Sequence, residues 1–240
     1  MNKIICSLLI IVVSFSSCDL MLGRRVKGDG KIVTEQRTVN AAHKIKLAGS
    51  YDVELTQGPV TAVSIETDEN LLPYIVTAEE DGSLVIRSKD HENLYPTQHI
   101  KVYITTDKLE SIDLSGSGNI TGKTKFVGED NLFMKIAGSG NITIEVNTPK
   151  VKSEIAGSGN ITISGETKDE EINIAGHGDY KADNLKAENA EVHIAGSGDV
   201  KVFAENKLVI HIAGSGDVFY KGNAKVEQHV AGSGTIKQMP

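Results

Sequence analysis

The chain has 240 residues, with 25 Lys and Arg against 32 Asp and Glu, so its net charge is −7. That balance argues against a nucleic-acid partner and against electrostatic docking on anionic lipid. Aromatic residues make up only 5% and tryptophan is absent, which removes the usual platform for sugar stacking, and two cysteines, Cys6 and Cys18, are too few for a disulfide framework.

The chain opens on Lys3 and an apolar run from Ile4 to Phe15, interrupted by Ser7 and Ser14. The run is too short for a membrane-spanning helix, which takes about 20 apolar residues. The sequence Phe15-Ser16-Ser17-Cys18 that follows resembles the lipobox of bacterial lipoproteins. That resemblance implies a signal peptide over residues 1–17, acylated Cys18 as the first mature residue, and membrane attachment through lipid alone. An ordinary secretory signal with an incidental cysteine is the other reading. Removing Lys3 brings the charge to −8, and loss of Cys6 leaves no possible disulfide. An exported domain of about 220 residues is then held by its core alone.

Residues 18–27 read as a linker and residues 28–110 as an irregular β region. Within the latter, Ile45-Lys46-Leu47-Ala48-Gly49-Ser50-Tyr51 reads as a worn copy of the corner that recurs further on, with Tyr51 replacing its second glycine. Strands are expected at Val63–Glu66, Leu84–Arg87 and Ile100–Thr105, with Asp81-Gly82 as a hairpin turn. The region is expected to extend and cap the architecture of the second half; a separate small sandwich is the competing arrangement.

Residues 111–240 carry the repeat. LSGSGNI at Leu114, IAGSGNI at Ile136 and Ile155, IAGHGDY at Ile174, IAGSGDV at Ile194 and Ile212, and VAGSGTI at Val230 place the first glycines 22, 19, 19, 20, 18 and 18 residues apart. Two and four residues before each first glycine the chain is mostly apolar, as in Ile172/Ile174 and Ile210/Ile212, while the residue between is polar. This period of two means strand, and no window sustains helical spacing across the paired glycines. A coil of about 20 residues cannot bury its apolar side alone; stacking at about 4.8 Å buries a continuous Ile/Val column. The fold class is therefore all-β, a parallel β-solenoid (β-helix) with coils of 18–22 residues, right-handed by the general preference of parallel crossovers.

These repeated AGSGNI and AGSGD corners, the Lys44–Leu55 strand pair and the Asp81-Gly82-Ser83-Leu84 turn together resemble the head GIN domain family of auto-transporter adhesins, widespread in Bacteroidota-type bacteria. The likeness covers residues 39–236. It implies an exported β-helical protein with an adhesive role and no catalytic residues.

Three sets of residues are candidates for binding. Asn119, Asn141, Asn160, Asp179, Asp199 and Asp217 follow the second glycine of successive corners. They can form a hydrogen-bonded ladder, or Asp179, Asp199 and Asp217 can hold calcium, since stacked aspartates repel unless splayed or bridged. His193, His211 and His229 share one outward position in three consecutive coils; zinc ligation, a pH-sensitive strip and simple tolerance on an exposed strand all fit. The glycine corners lack the helix and Lys-Ser/Thr of a phosphate loop. The carboxylate pairs Glu79/Glu80 and Glu170/Glu171 lie in charged, turn-like stretches and read as solvated. No Ser-His-carboxylate set can be assembled, so no enzyme is expected, although polysaccharide lyases and hydrolases also use β-helices.

The sequence thus leads to an expectation of a lipid-anchored envelope protein at the outer membrane or cell surface, an adhesin or interaction scaffold whose partner is a protein or a glycan. A structural, stress-linked envelope role and a glycan-active β-helix enzyme are the alternatives. The last corner lies close to Pro240, and self-association through that end is a further expectation.

Overall fold

The computed structural model describes residues 23–240; the signal segment and Cys18 lie outside the described residues. Strands such as Asn131–Gly138 and Lys150–Gly157 approach the glycine corners, and Asn141–Asn147 and Asn160–Gly176 leave them. Each strand pairs in parallel with its equivalent in the next coil, with first glycine against first glycine throughout: Gly116 with Gly138, Gly138 with Gly157, Gly157 with Gly176, and so on to Gly232. The chain is a β-solenoid, as the period of the glycines requires.

Alternation decides what the solenoid buries. The column two residues before the first glycine, from Leu114 through Ile136, Ile155, Ile174 and Ile194 to Ile212, is at most 3% exposed. Burial of each such side chain contributes about 1.5–3 kcal/mol.

The two glycines of a corner differ in their backbone angle but not in their closeness to the neighbouring coil. Gly157 has φ +130°, which opposes any L side chain. Gly159 has no such angle, yet a Cβ there would lie 2.4 Å from the Gly140 carbonyl oxygen and 2.6 Å from Cγ2 of Ile136. A Cβ at Gly157 would likewise lie 2.4 Å from the Gly138 carbonyl oxygen, so both glycines admit the neighbouring coil and the first also turns the chain.

The N-terminal region continues this stack out of chain order. Strand Lys44–Gly49 lies in register on Ser111–Gly116, and Asp52–Gln57 on the start of Asn119–Val127. Tyr51 does occupy the second-glycine place: it is 1% exposed, and its hydroxyl is 2.8 Å from Ser88 Oγ. The intervening chain returns to place Ser83–Ser88 beneath Lys44–Gly49 and Lys101–Thr106 beneath Asp52–Gln57, both parallel, so a further coil underlies the worn corner.

That lowest coil is finished by antiparallel strands. Ile75–Glu80 runs against Ser83–Ser88 through the Asp81-Gly82 turn, whose φ values of 50° and 72° are those of a two-residue hairpin loop. Ala62–Asp68 runs against Lys101–Thr106, and Ile32–Arg37 against Ala62–Asp68. The 3-10 helix Glu69–Tyr74 plugs the end with buried Leu71 and Leu72. Asp68, itself fully buried, accepts hydrogen bonds from Gly30 N, Thr97 N and the Thr97 hydroxyl. Burial alone would raise its pKa, but those donors outweigh burial and hold the carboxyl below its ordinary value.

Candidate functional site

The side of the solenoid that precedes the corners presents three outward columns. The middle one is Asp113, Lys135, Glu154, Asn173, His193, His211 and His229, paired coil to coil. The register aligns the three histidines face to face: ring centroids are 4.8 Å apart for His193 and His211, and 5.0 Å for His211 and His229, with interplanar angles of 4° and 14°. The spacing is that of the paired backbones, so it is set by the main chain. His193 Nε2 also lies 2.8 Å from Glu191 Oε1.

Nearest the corner, Ala156, Ala175, Ala195, Ala213 and Ala231 form an exposed stripe. Such small side chains leave the sheet itself as a floor. Between this floor and the imidazole column runs a shallow, mainly apolar groove of about 750 Å³ from Lys135 to Ala231. The outward position of these alanines makes them the floor of that groove.

The imidazole planes are parallel, so their nitrogens do not converge on one point. Among the described residues no group of three or more His, Cys, Asp or Glu side chains is placed to hold a metal ion.

The asparagine and aspartate column changes its bonding halfway along. In the first coils side-chain amides are the donors: Asn119 donates to the Asp52 carboxylate, Asn141 to the Asn119 amide oxygen, and Asn160 to that of Asn141, at 2.7–2.9 Å. Aspartate has no donor to continue this, so the main chain supplies one. The backbone N–H of Asp179 donates to Asn160, that of Asp199 to Asp179, that of Asp217 to Asp199, and that of Thr235 to Asp217, at 2.7–3.3 Å. Each stacked carboxylate thus faces an N–H dipole of the next coil, which offsets the repulsion that made a bridging cation attractive on sequence grounds.

One polar cluster was not legible as such. Glu170 is 3% exposed and points into the core between Val151 and Ala190, so the solvated reading of this residue is wrong; Glu171 beside it does face outward and pairs with Lys152 at 3.0 Å. Tyr180 replaces the Ile of earlier coils and reaches across the core; its hydroxyl donates to Glu170 Oε1 at 2.9 Å and accepts from Ser153 Oγ at 3.2 Å. Glu170 Oε2 has no partner. Burial pushes the Glu170 carboxyl up to about 8, against a smaller opposing effect of the Tyr180 hydroxyl, so it is protonated at neutral pH. The signal was present: Glu170 lies six residues before Gly176, the next inward place of the same alternation. Of the other pair, Glu79 is bound by Asn40. His177, at its corner, is exposed.

Comparison with known proteins agrees with this architecture. The family model described as "Putative auto-transporter adhesin, head GIN domain" matches residues 42–224. A crystal structure from Parabacteroides distasonis, described as a "putative lipid binding protein", is 28% identical with a TM-score of 0.75 over 90% of this chain and 100% of that one. A "putative adhesin" from Parabacteroides merdae is 25% identical with a TM-score of 0.69 over 90% of this chain and 99% of that one. Another from Bacteroides fragilis, 24% identical over 89% of this chain and 100% of that one, shares the fold at a TM-score of 0.81. No curated protein matches the chain. With three quarters of its length under the family model, the chain belongs to the head GIN domain family of putative auto-transporter adhesins.

Proposed function

We propose that the chain is a lipid-anchored envelope protein, held through Cys18, that displays its imidazole and alanine face at the cell surface as a non-catalytic adhesive contact for a protein or a glycan. The observation that carries this reading is the groove from Lys135 to Ala231, flat-floored and mainly apolar on an otherwise charged molecule. Its rigidity supports the same role. Every strand beneath it except the last is paired on both sides, so little ordering entropy is lost when a partner docks. Family membership supports an adhesive, non-enzymatic role as well.

Protease shaving of intact cells tests the display. Release of peptides from residues 111–240, read by mass spectrometry, is the expected result; peptides released only after lysis would overturn surface display. The contact face is tested by Ala195→Glu/Ala213→Glu, which puts two carboxylates on the groove floor. Binding of the purified chain to a panel of immobilised glycans and proteins is expected to fall about tenfold with an unchanged circular dichroism spectrum, since buried unpaired charge at an interface costs well over 1 kcal/mol. Undiminished binding would remove the groove from the reading.

A further inference from the structure

The two ends of the stack differ in how their backbone is finished. The lowest coil is covered by antiparallel strands. At the opposite end, Lys225–Gly232 pairs on one side with Lys207–Gly214, and among the described residues no strand lies along its other edge. The inward side chains there are open as well. Val230 is 42% exposed, where Ile212 one coil below is 2% exposed, and Tyr220, Ala224, Val226 and Ile236 are only partly buried.

An open edge of this kind is a template for another strand, and its own sequence says which. Val226, Gln228 and Val230 take the inward positions of the coil, and Glu227 and His229 the outward ones. In an antiparallel pair, directly opposed residues project from the same face. Reversed about Gln228, this strand is complementary to itself. Val226 meets Val230, Glu227 meets His229, and Gln228 meets Gln228, with each unlike pair made twice.

Gln228 is otherwise a misfit. It stands in the column of Ile172, Val192 and Ile210, where an apolar residue belongs. On a two-fold axis its amide faces an identical amide, and each carries both donors and an acceptor. The Glu–His contact already exists within the chain in the same two columns, between Glu191 and His193. Lys207, which lies 3.6 Å from Glu227 in the coil below, leaves the far side of that carboxylate free for an imidazole. Moving the axis by one residue destroys the match: centred on Glu227 it opposes two carboxylates, centred on His229 two imidazoles, and in both cases it sets Gln228 against a valine.

We propose that two copies of this chain dimerise tail to tail, pairing the 225–232 strands antiparallel about a two-fold axis at Gln228. The axis is closed, so the assembly stops at two. It stands independently of where the protein is displayed or what its groove contacts.

Analytical ultracentrifugation of the full chain tests this, with the dimer expected at micromolar concentration. His229→Glu opposes like charges in both outward pairs and is expected to weaken dimerisation about tenfold. Exchanging the two residues, Glu227→His/His229→Glu, recreates both unlike pairs and is expected to restore it. Both positions are solvent-facing, and an unchanged circular dichroism spectrum confirms folding of each variant. A chain that stays monomeric at tens of micromolar, a dimer indifferent to His229→Glu, or a double exchange that fails to restore pairing would each overturn the proposal.

Discussion

The N-terminal cap and the glycine-cornered coils reach the same cross-section by opposite routes. In the coils, most inward places are filled by repetition, and neighbours in space are neighbours in sequence at 18–22 residues. In the cap, Ser83–Ser88 and Lys101–Thr106 form one coil beneath Lys44–Gly49 and Asp52–Gln57, which precede them in the chain, and long-range polar contacts such as Asp68 with Thr97 hold the excursion in place. Backbone proximity thus stabilises the repeats, whereas individual side chains stabilise the cap.

The corners offer the largest break. Gly176 has φ +134°, and a Cβ there would lie 2.2 Å from the Gly157 carbonyl oxygen, whereas Gly82 in the cap hairpin has φ +72° with open space around it. Gly176→Ala is expected to cost more than about 4 kcal/mol, and Gly82→Ala about 1 kcal/mol. By thermal melting that is a loss of at least about 8 °C against about 2–4 °C. Equal losses would mean the corners are not where the coils are fixed.

Asp68 is the corresponding weak point of the cap. Asp68→Ala strands three donors and is expected to cost about 3 kcal/mol, with amide exchange accelerated in residues 23–110 before the repeats. Because the native carboxyl titrates below its ordinary value, its contribution is present at neutral pH and is lost as pH falls through the native pKa.

Glu170 sharpens the comparison from inside the repeats. Its native value near 8 lies above its ordinary 4.5, so between these the folded chain holds a proton that the unfolded chain releases. Stability therefore falls as pH rises from 4.5 to about 8, and the loss then levels off. Melting curves across that range are expected to show a decline of up to about 5 kcal/mol that Glu170→Gln removes. An identical pH slope in the variant would count against a buried, protonated Glu170.

The smallest difference is expected along the Asx column. Asn141 joins the coils on either side through its own amide, whereas Asp199 receives only a backbone N–H. Asn141→Ala is expected to cost about 1 kcal/mol and Asp199→Ala less than about 0.5 kcal/mol, read by urea midpoint.

The repeats were legible because glycine is the one residue that fits a positive φ pressed against a neighbouring carbonyl, so its spacing is the coil length. The worn corner at Leu47-Ala48-Gly49 and the Asp81-Gly82 hairpin were legible for the same reason. The lower coil of the cap was not, because antiparallel returns place strands together that no period links. The imidazole stack followed directly from register. Glu170 was hidden by its neighbours: Lys168, Asp169 and Glu171 make a charged run of what is, at its third residue, an inward place. The groove was missed because alanine carries no pattern of its own until the strand is known to face outward.

The 4.8–5.0 Å interval between imidazoles belongs to the main chain, and this frees the outward face from the demands of folding. An outward residue contacts solvent and other outward side chains, such as Glu191 beside His193, so it can be exchanged without repacking the column behind it. The solenoid therefore works as a ruled page: selection can rewrite the Asp113-to-His229 column letter by letter while the lines stay where they are. Variation among related chains is expected to gather in that column and spare the glycines beside it.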